Sequence, residues 1–271
     1  MADESNCVLL RLQKKKAMRR VFGWLLVCML SPLLCWGWGA TGHRASGHLA
    51  EQLLTAKAKK KVKRLLKGHS LAMVSTWLDE VRSDSTYDYT GDWHWTTIPD
   101  GKRYEDVAAN PDGKAVIMVE LIIQKLTQGG LPAKQEEEYV KALIHLVADL
   151  HQPCHVGNGL DRGANEVKVK WFGRDSNLHR VWDSHMIDDT QLSYTELAQS
   201  LVMVDKATLA QWQNASVRDW AHESMSYRPA VYAIGDGNLS YQYGYRNFAT
   251  VQWRLLQSSV RLAHILNRIY G

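Results

Sequence analysis

Two pairs of residues share one spacing: His145 with Asp149, and His179 with Asp183. On a helix, residues four apart face the same way, so each pair presents an imidazole and a carboxylate together. His155 lies just beyond Pro153, which ends or kinks a helix and lets the imidazole point elsewhere. Imidazole and carboxylate are ligands that borderline cations such as zinc accept, and facing helices are where such sites are built. A single buried His or Asp is usually hydrogen-bonded structure. Two such pairs and a further His point to cations, because a buried carboxylate without a partner is costly and a cation offsets that cost. Further candidates stand upstream in Trp38-Gly-Ala-Thr-Gly-His43, Trp77-Leu-Asp79-Glu-Val-Arg82 and Asp92-Trp-His94-Trp95. A free α-amino group on Trp38 and its own carbonyl can chelate a metal together, with His43 completing the set.

A free amino group there requires the preceding residues to be removed, and they read as a leader. Residues 1–37 hold six basic and two acidic residues, and Arg19 and Arg20 directly precede the apolar stretch Val21–Leu34. A basic region, an apolar region and then small residues is the order of a secretory signal, and the stretch is short for a membrane span. The expected division is a signal peptide over 1–37, with Met18 as an alternative start, and a mature domain over 38–271. An uncleaved anchor helix or lipid attachment at Cys35 is the lesser reading. The expected location is therefore exported, periplasmic or secreted, with no stable membrane partner after cleavage.

Dividing the chain also removes an apparent nucleic-acid signal. The net charge is +5, but 38–271 carries 27 basic and 26 acidic residues. Global charge does not argue for polyanion binding. Of four Cys only Cys154 lies in 38–271. No internal disulfide is then expected in the mature part, and Cys154 reads as a small buried packing residue.

The elements that must position these groups read as helices. The spacing predicts a helix from about Gly42 running into the Lys-rich segment Lys57–Lys67, whose charges read as a solvated face. Further helices are predicted over Leu71–Arg82, Ala115–Leu126, from Pro132 to about Pro153, near His179, and over Tyr194–Val204, Asp205–His222 and Phe248–Ile269. In the Pro132 helix, Val140, Leu143, Val147 and Leu150 form an apolar stripe on a face other than that of His145 and Asp149. Asp84–Asp112 reads as loop, and Val167–Phe172 as a short strand or hairpin arm. The fold class is all-α: one mostly helical domain with at most a short β-hairpin. His69, His151, His185, His222 and His264 read as structural or surface residues.

The ordered set resembles the zinc-dependent nuclease family of fungal single-strand nucleases (the S-one/P-one type) and plant bifunctional nucleases, distant kin of phosphatidylcholine phospholipase C. The likeness covers 38–271. It rests on Trp-Gly with Gly-His at the start, Trp-x-Asp-x-x-Arg, Trp-His-Trp, His-x-x-x-Asp-x-x-Gln-Pro-x-His, Leu-His-x-x-Trp-Asp, and the closing Arg261-Leu-Ala-His-Ile-Leu-Asn267. The resemblance implies three zinc ions between helices. One would take Asp79, His94, His145 and Asp149; a second the Trp38 amino nitrogen and carbonyl, His43 and a bridging Asp149; a third His155, His179 and Asp183. Zinc lowers the pKa of water toward about 7, so a nucleophile is available at neutral pH. Asp79 and Arg82 are the expected catalytic pair: Arg82, three residues on, reaches developing phosphate charge or else salt-bridges Asp79.

The expected function is hydrolysis of phosphate esters: endonucleolytic cleavage of single-stranded RNA and DNA to 5′-phosphorylated products, with 3′-nucleotidase activity, by a monomer. Exposed bases would stack on Trp93, Trp95 or Tyr87. In the fungal relatives an acidic residue soon after the His94 position helps hold a base; Thr96–Pro99 offers none, although Asp100 follows. The competing readings are a lipid phosphodiesterase of the phospholipase C type and a non-catalytic periplasmic zinc-binding protein.

Overall fold

The computed structural model describes residues 38–271; the expected signal peptide over 1–37 and the alternative start at Met18 lie outside the described residues. The first helix, α1, spans Ala40–Gln52 and buries a face of mostly small residues, among them Gly42, Ala45, Ser46 and Gly47. Small residues permit close approach. A Cβ on Gly47 would stand 2.9 Å from the carbonyl oxygen of Leu71. The predicted continuous run into the lysines is interrupted. Thr55 accepts a hydrogen bond from the Ala58 N–H (3.2 Å) and starts a separate helix, α2, over Ala56–Leu65.

The predicted helix over Leu71–Arg82 is likewise two helices, α3 (Leu71–Val74) and α4 (Trp77–Glu80), running on into a 3-10 turn over Val81–Ser83. At the break the Ser75 hydroxyl bonds back to the Ala72 carbonyl (2.8 Å). That local bond competes with helix continuation. Asp84–Asp112 is mostly turn but holds a 3-10 segment (Ser85–Thr90), a two-residue strand β1 (Thr96–Thr97) and a short helix α5 (Tyr104–Val107).

The helix α6 covers Ala115–Gln128, and α7 covers Ala133–Leu150. Every residue of α7 from Ala142 to Leu150 is buried. The separation between an apolar stripe and a ligand face therefore does not translate into inside and outside. Leu146 and Val147 face one apolar cluster with Leu143, Ile122 and Leu266. Ala148 belongs to another, with Trp38, Val181, Trp182 and Leu255. The helix lies between the two clusters, and His145 and Asp149 point into the interior with it.

A 3-10 turn over Pro153–His155 leads into β2 (Val156–Gly157), which pairs in parallel with β1. The predicted hairpin forms from β3 (Lys168–Trp171) and β4 (Arg174–Asn177) and gains a third strand, β5 (Asn238–Leu239), parallel to β3. Next come α8 (Leu178–Arg180), a π-helical turn over Val181–His185 and α9 (Met186–Asp188). The chain continues through α10 (Tyr194–Ser200), α11 (Lys206–Asn214) and α12 (Val217–Ser226). The last two replace one predicted helix. They are split because Ser216 and Asp219 form a capping box that starts α12 afresh. A single turn, α13 (Arg228–Val231), precedes α14 (Tyr241–Tyr270), which begins seven residues before the predicted Phe248 because its first turns lie over β3 and β5. The architecture is all-α apart from the small sheets. Among the described residues no helix is long and apolar enough to cross a membrane.

The end of α7 is locked from behind by a buried polar knot. His151 donates from Nδ1 to the Val147 carbonyl (2.7 Å) and accepts from the Arg261 guanidinium (2.8 Å) at Nε2. Burial, with Arg254 and Arg261 nearby, holds it neutral, well below the usual imidazole range. Glu223 on α12 receives both arginines (2.9 and 2.7 Å). His222 accepts from the Tyr104 N–H (2.9 Å) and His185 bonds Ser176 (3.0 Å), so both are structural, as expected. Cys154 is buried, also as expected.

Candidate metal centre

The helix α7 brings His145 and Asp149 to the molecule's interior, both fully buried. The break between α3 and α4 turns the Ser75 carbonyl toward His145, whose Nδ1 lies 2.7 Å from it. Pairing of β1 with β2 sets His94, two residues before β1, beside His155, directly before β2. The His94 carbonyl then takes the Nδ1 of His155 (2.6 Å). A loop places the Gly163 carbonyl 2.5 Å from Nδ1 of His179. Gly163 sits at φ +63°, and a Cβ there would collide with the Cys154 carbonyl, so the turn that delivers this oxygen needs glycine. His43, on the first turns of α1, stacks on His145 with ring centroids 4.0 Å apart.

These carbonyls fix the tautomers. A carbonyl oxygen can only accept, so Nδ1 of His145, His155 and His179 carries the proton, and Nε2 of each turns a lone pair inward when the ring is neutral. That is the arrangement of metal-ligating histidines, whose second nitrogen donates to a carbonyl or carboxylate.

The inward atoms crowd: His94 Nδ1 lies within hydrogen-bond distance of Asp149 and of His145 Nε2 (3.1 Å each), and most of the others find no partner. His43 Nε2 stands 3.3 Å from Asp149 Oδ1 with no hydrogen-bond geometry. On the other oxygen of Asp149, His94 Nδ1 lies at 3.1 Å and His145 Nε2 at 3.2 Å. The carboxylate of Asp149 thus faces two sides. Asp79 Oδ1 approaches the same two imidazoles at 3.9 and 3.8 Å. Asp183 meets His155 at 3.7 Å and His179 at 2.9 Å. Two ligands on a tetrahedral cation with bonds of about 2.1 Å stand roughly 3.4 Å apart. The side chains form three groups, each with ligand atoms within 4.8 Å of one another: His43–His145–Asp149, Asp79–His94–His145 and His155–His179–Asp183.

Buried atoms without partners concentrate here: both ring nitrogens of His43, Nε2 of His94, His155 and His179, Oδ1 of Asp149 and Oδ2 of Asp183. Each such atom costs about 1–3 kcal/mol. A whole domain is stable by only about 5–15 kcal/mol. A fold does not keep seven such atoms together unless something answers them, and cations of the borderline type do. The donor set therefore fits a metal.

Without a cation, protons partly fill the gap. Burial works to lower the pKa of His145, but the carboxylates of Asp149 and Asp79 override it and hold the group at about 9. Burial likewise opposes and Asp149 with Asp183 raises His155, also to about 9. Burial pushes His43 and His94 down. Asp149 sits well below the usual carboxylate range: burial opposes this, but His145 and His155 prevail. Metal uptake near neutral pH must then displace protons from His145 and His155, so apparent affinity falls as pH drops from 9. The expected result is proton release on loading the apoprotein, read by titration calorimetry in buffers of different ionisation enthalpy. Affinity that is flat between pH 6.5 and 9 contradicts it.

Trp38 is buried, its indole N–H donating to the Ala148 carbonyl (2.9 Å), while the Gly39 N–H donates to the Asp183 carbonyl (2.7 Å). The start of the described chain is thus pinned between the segments carrying the two buried aspartates. Asp79 and Arg82 lie at the partly exposed edge. The 3-10 turn eclipses positions three apart, and the Arg82 guanidinium stands 3.5 Å from Asp79 Oδ1.

Gln152 has a part that spacing did not reveal. Its amide donates to Asp183 Oδ1 and its oxygen accepts the Cys154 N–H, so it orients a candidate ligand. Its place between Asp149 and Pro153 in the motif was the available signal. Beside His155 and His179 opens a cleft of about 230 Å³ lined by Trp95, Thr97, Asp112, Arg162 and Asn165. Of the three aromatic residues expected to stack bases, only Trp95 lines it. Trp93 is core, and Tyr87 donates its hydroxyl to Glu138 (2.8 Å) and packs on Trp77. The Thr97 hydroxyl bonds Asp112 (2.8 Å), giving the cleft a carboxylate that the adjacent sequence lacks. Asp100 instead pairs with Arg228 (2.8 Å).

Comparison with known proteins bears on the same residues. The family model described as S1/P1 Nuclease matches residues 38–271. Endonuclease 4 of Arabidopsis thaliana is 28% identical, over 94% of this chain and 96% of its own. Nuclease P1 of Penicillium citrinum is 23% identical over 86% of this chain and 98% of its own. Nuclease S1 of Aspergillus oryzae is 28% identical over 60% of this chain and 58% of its own.

Proposed function

The chain belongs to the S1/P1 nuclease family, and on that premise we propose that it is a zinc-dependent endonuclease of single-stranded RNA and DNA with 3′-nucleotidase activity. Family membership makes it a hydrolase of phosphodiester bonds; substrate, product and metal are the proposal. The observation that carries it is the buried cluster in which His145, His155 and His179 are tied to carbonyls through Nδ1, while inner atoms of His43, His155, His179, Asp149 and Asp183 lack partners. A donor set this rich in nitrogen suits zinc better than magnesium or calcium.

Asp79, His94, His145 and Asp149 would hold one ion, the Trp38 amino and carbonyl groups with His43 and Asp149 a second, and His155, His179 and Asp183 a third. Bound there, the ions supply Lewis acidity and a water whose pKa approaches about 7. The chain's own groups do the rest. Arg82, at the open edge beside Asp79, binds a phosphate oxygen and favours the charge that develops on it. Trp95, which lines the cleft, would stack an unpaired base, which a duplex cannot present, with Asp112 and Asn165 as hydrogen-bond partners beside it. Cleavage leaving the phosphate on the 5′ end of the product follows the family resemblance, whereas export and maturation at Trp38 follow from the basic and apolar segment before it.

The test is one panel: the purified chain with zinc against single-stranded DNA, RNA, a 3′-nucleotide and phosphatidylcholine vesicles. The expected result is release of 5′-phosphorylated nucleotides and of inorganic phosphate from the 3′-nucleotide. Lipid turnover without nucleotide release would replace this reading by a phospholipase C. Zinc bound with no turnover of any substrate would make it a binding protein.

A further inference from the structure

The Lys-rich segment has no part in the metal centre. Seven cations lie between Lys57 and Lys67 with no acidic residue among them. The rest of 38–271 holds 20 basic against 26 acidic residues, so the positive charge of the described chain is gathered on this one segment. Its apolar positions, Ala58, Val62 and Leu66, are buried, which fixes the helix orientation. The cations occupy the remaining face and are all exposed.

Their partners are few. Lys57 donates to the C-terminal Gly271 (2.8 Å), Lys59 reaches Glu51 at 3.8 Å, and Lys67 pairs with Glu137 at 2.7 Å. Lys60, Lys61, Lys63 and Arg64 have no ion-pair partner among the described residues. Like charges three and four apart on a helix repel. The helix thus keeps four neighbouring cations, Lys60, Lys61, Lys63 and Arg64, whose repulsion no carboxylate among the described residues relieves by an ion pair. Beside it runs a groove of about 830 Å³ rimmed by Lys61, Arg64, Lys67 and Lys134. Its two carboxylates are already engaged, Glu136 by the Tyr270 hydroxyl (2.9 Å) and Glu137 by Lys141 (2.6 Å) and Lys67.

We propose that the exposed face of α2 is a second, sequence-independent binding site for a nucleic-acid backbone, which retains a strand while the metal centre cuts it elsewhere. This rests on the nuclease reading above. The helix of ten residues is about 15 Å long, which spans roughly four phosphates of a stacked strand at about 3.4 Å each. Lys67 docks on Glu137, and Asp149 lies twelve residues further along α7, about 18 Å away. A stacked strand must therefore exceed roughly five nucleotides to occupy both places, and a dinucleotide is too short in any conformation. Exposed cations grip phosphate charge, not bases, and Tyr270, the ring lining the groove, is buried with its hydroxyl on Glu136, so no sequence preference is expected at this site.

The test compares wild type with a variant carrying Lys60→Ala, Lys61→Ala, Lys63→Ala and Arg64→Ala, four exposed changes to a good helix former. A dinucleotide and a single strand of about 20 nucleotides are assayed across a salt series, the lengths set by the span above. The dinucleotide should be cleaved equally by both. For the long strand, the wild type should lose roughly 50-fold more in kcat/KM between 50 and 200 mM salt than the variant, the loss for four phosphate contacts on a single strand. Replacing the three lysines by arginine should restore wild-type behaviour. Equal salt slopes for the long strand, with the dinucleotide still cleaved, would overturn the proposal. So would binding of anionic phospholipid vesicles that depends on these four residues while long-strand kinetics do not. If neither protein cleaves the dinucleotide, the nuclease reading fails instead. Fluorescence anisotropy of the labelled long strand, with the same two proteins, then still decides whether α2 binds it.

Discussion

Asp149→Asn should reduce turnover of a single-stranded substrate by at least about a thousandfold, the scale of losing a principal electrostatic group at a reacting centre. Asn fills the same volume without the charge. The carboxylate faces both sides of the cluster, His43 through Oδ1 and His94 with His145 through Oδ2. Its removal leaves His43 without a carboxylate and His94 and His145 with only the partly exposed Asp79, and breaking a buried charged pair costs about 3–5 kcal/mol. In a domain of this size each kcal/mol lowers Tm by about 2–4 °C. The zinc-loaded variant should therefore melt roughly 6–20 °C below the wild type. Steady-state assay and a thermal melt check both; a variant near wild type in turnover contradicts the two-sided role.

The second large effect concerns Trp38, the proposed first residue of the mature chain. A protein that keeps Gly37 should lose about a hundredfold or more in activity, at or beyond the upper end of what a disturbed metal environment costs. Trp38 has little freedom to compensate. Its indole is tied to Ala148, next to Asp149, and the following N–H is tied to the Asp183 carbonyl. An amide nitrogen in place of the amine has no lone pair to give a cation. Mass spectrometry of the mature protein, with rates for chains starting at Trp38 and at Gly37, tests this. Equal rates with Gly37 present refute the chelating amine.

Some of this arrangement is legible in the sequence because its spacing is local. His145 with Asp149, and His179 with Asp183, are each one helical turn apart, and Pro153 announces the change of direction before His155. What is not legible depends on contacts distant in sequence. The break at Ser75 is invisible to periodicity, since Leu71–Arg82 is apolar at helical intervals. The break exists because a serine hydroxyl bonds back to Ala72, and it frees the carbonyl that orients His145. Trp93 and Trp95 look equivalent in sequence, yet one is buried in the core and the other lines the cleft. Asp112 joins Thr97 across fifteen residues, so no reading of the segment after His94 could supply that carboxylate. The burial of α7 on every side follows from two apolar clusters flanking it, and an amphipathic pattern cannot express that.

Metal content decides the central claim most directly. Elemental analysis of the mature protein, purified without chelators and quantified by amino-acid analysis, should find three zinc ions per chain, and none after dialysis against a strong chelator, with activity lost in step. A purified chain that is metal-free, folded and fully active would contradict it.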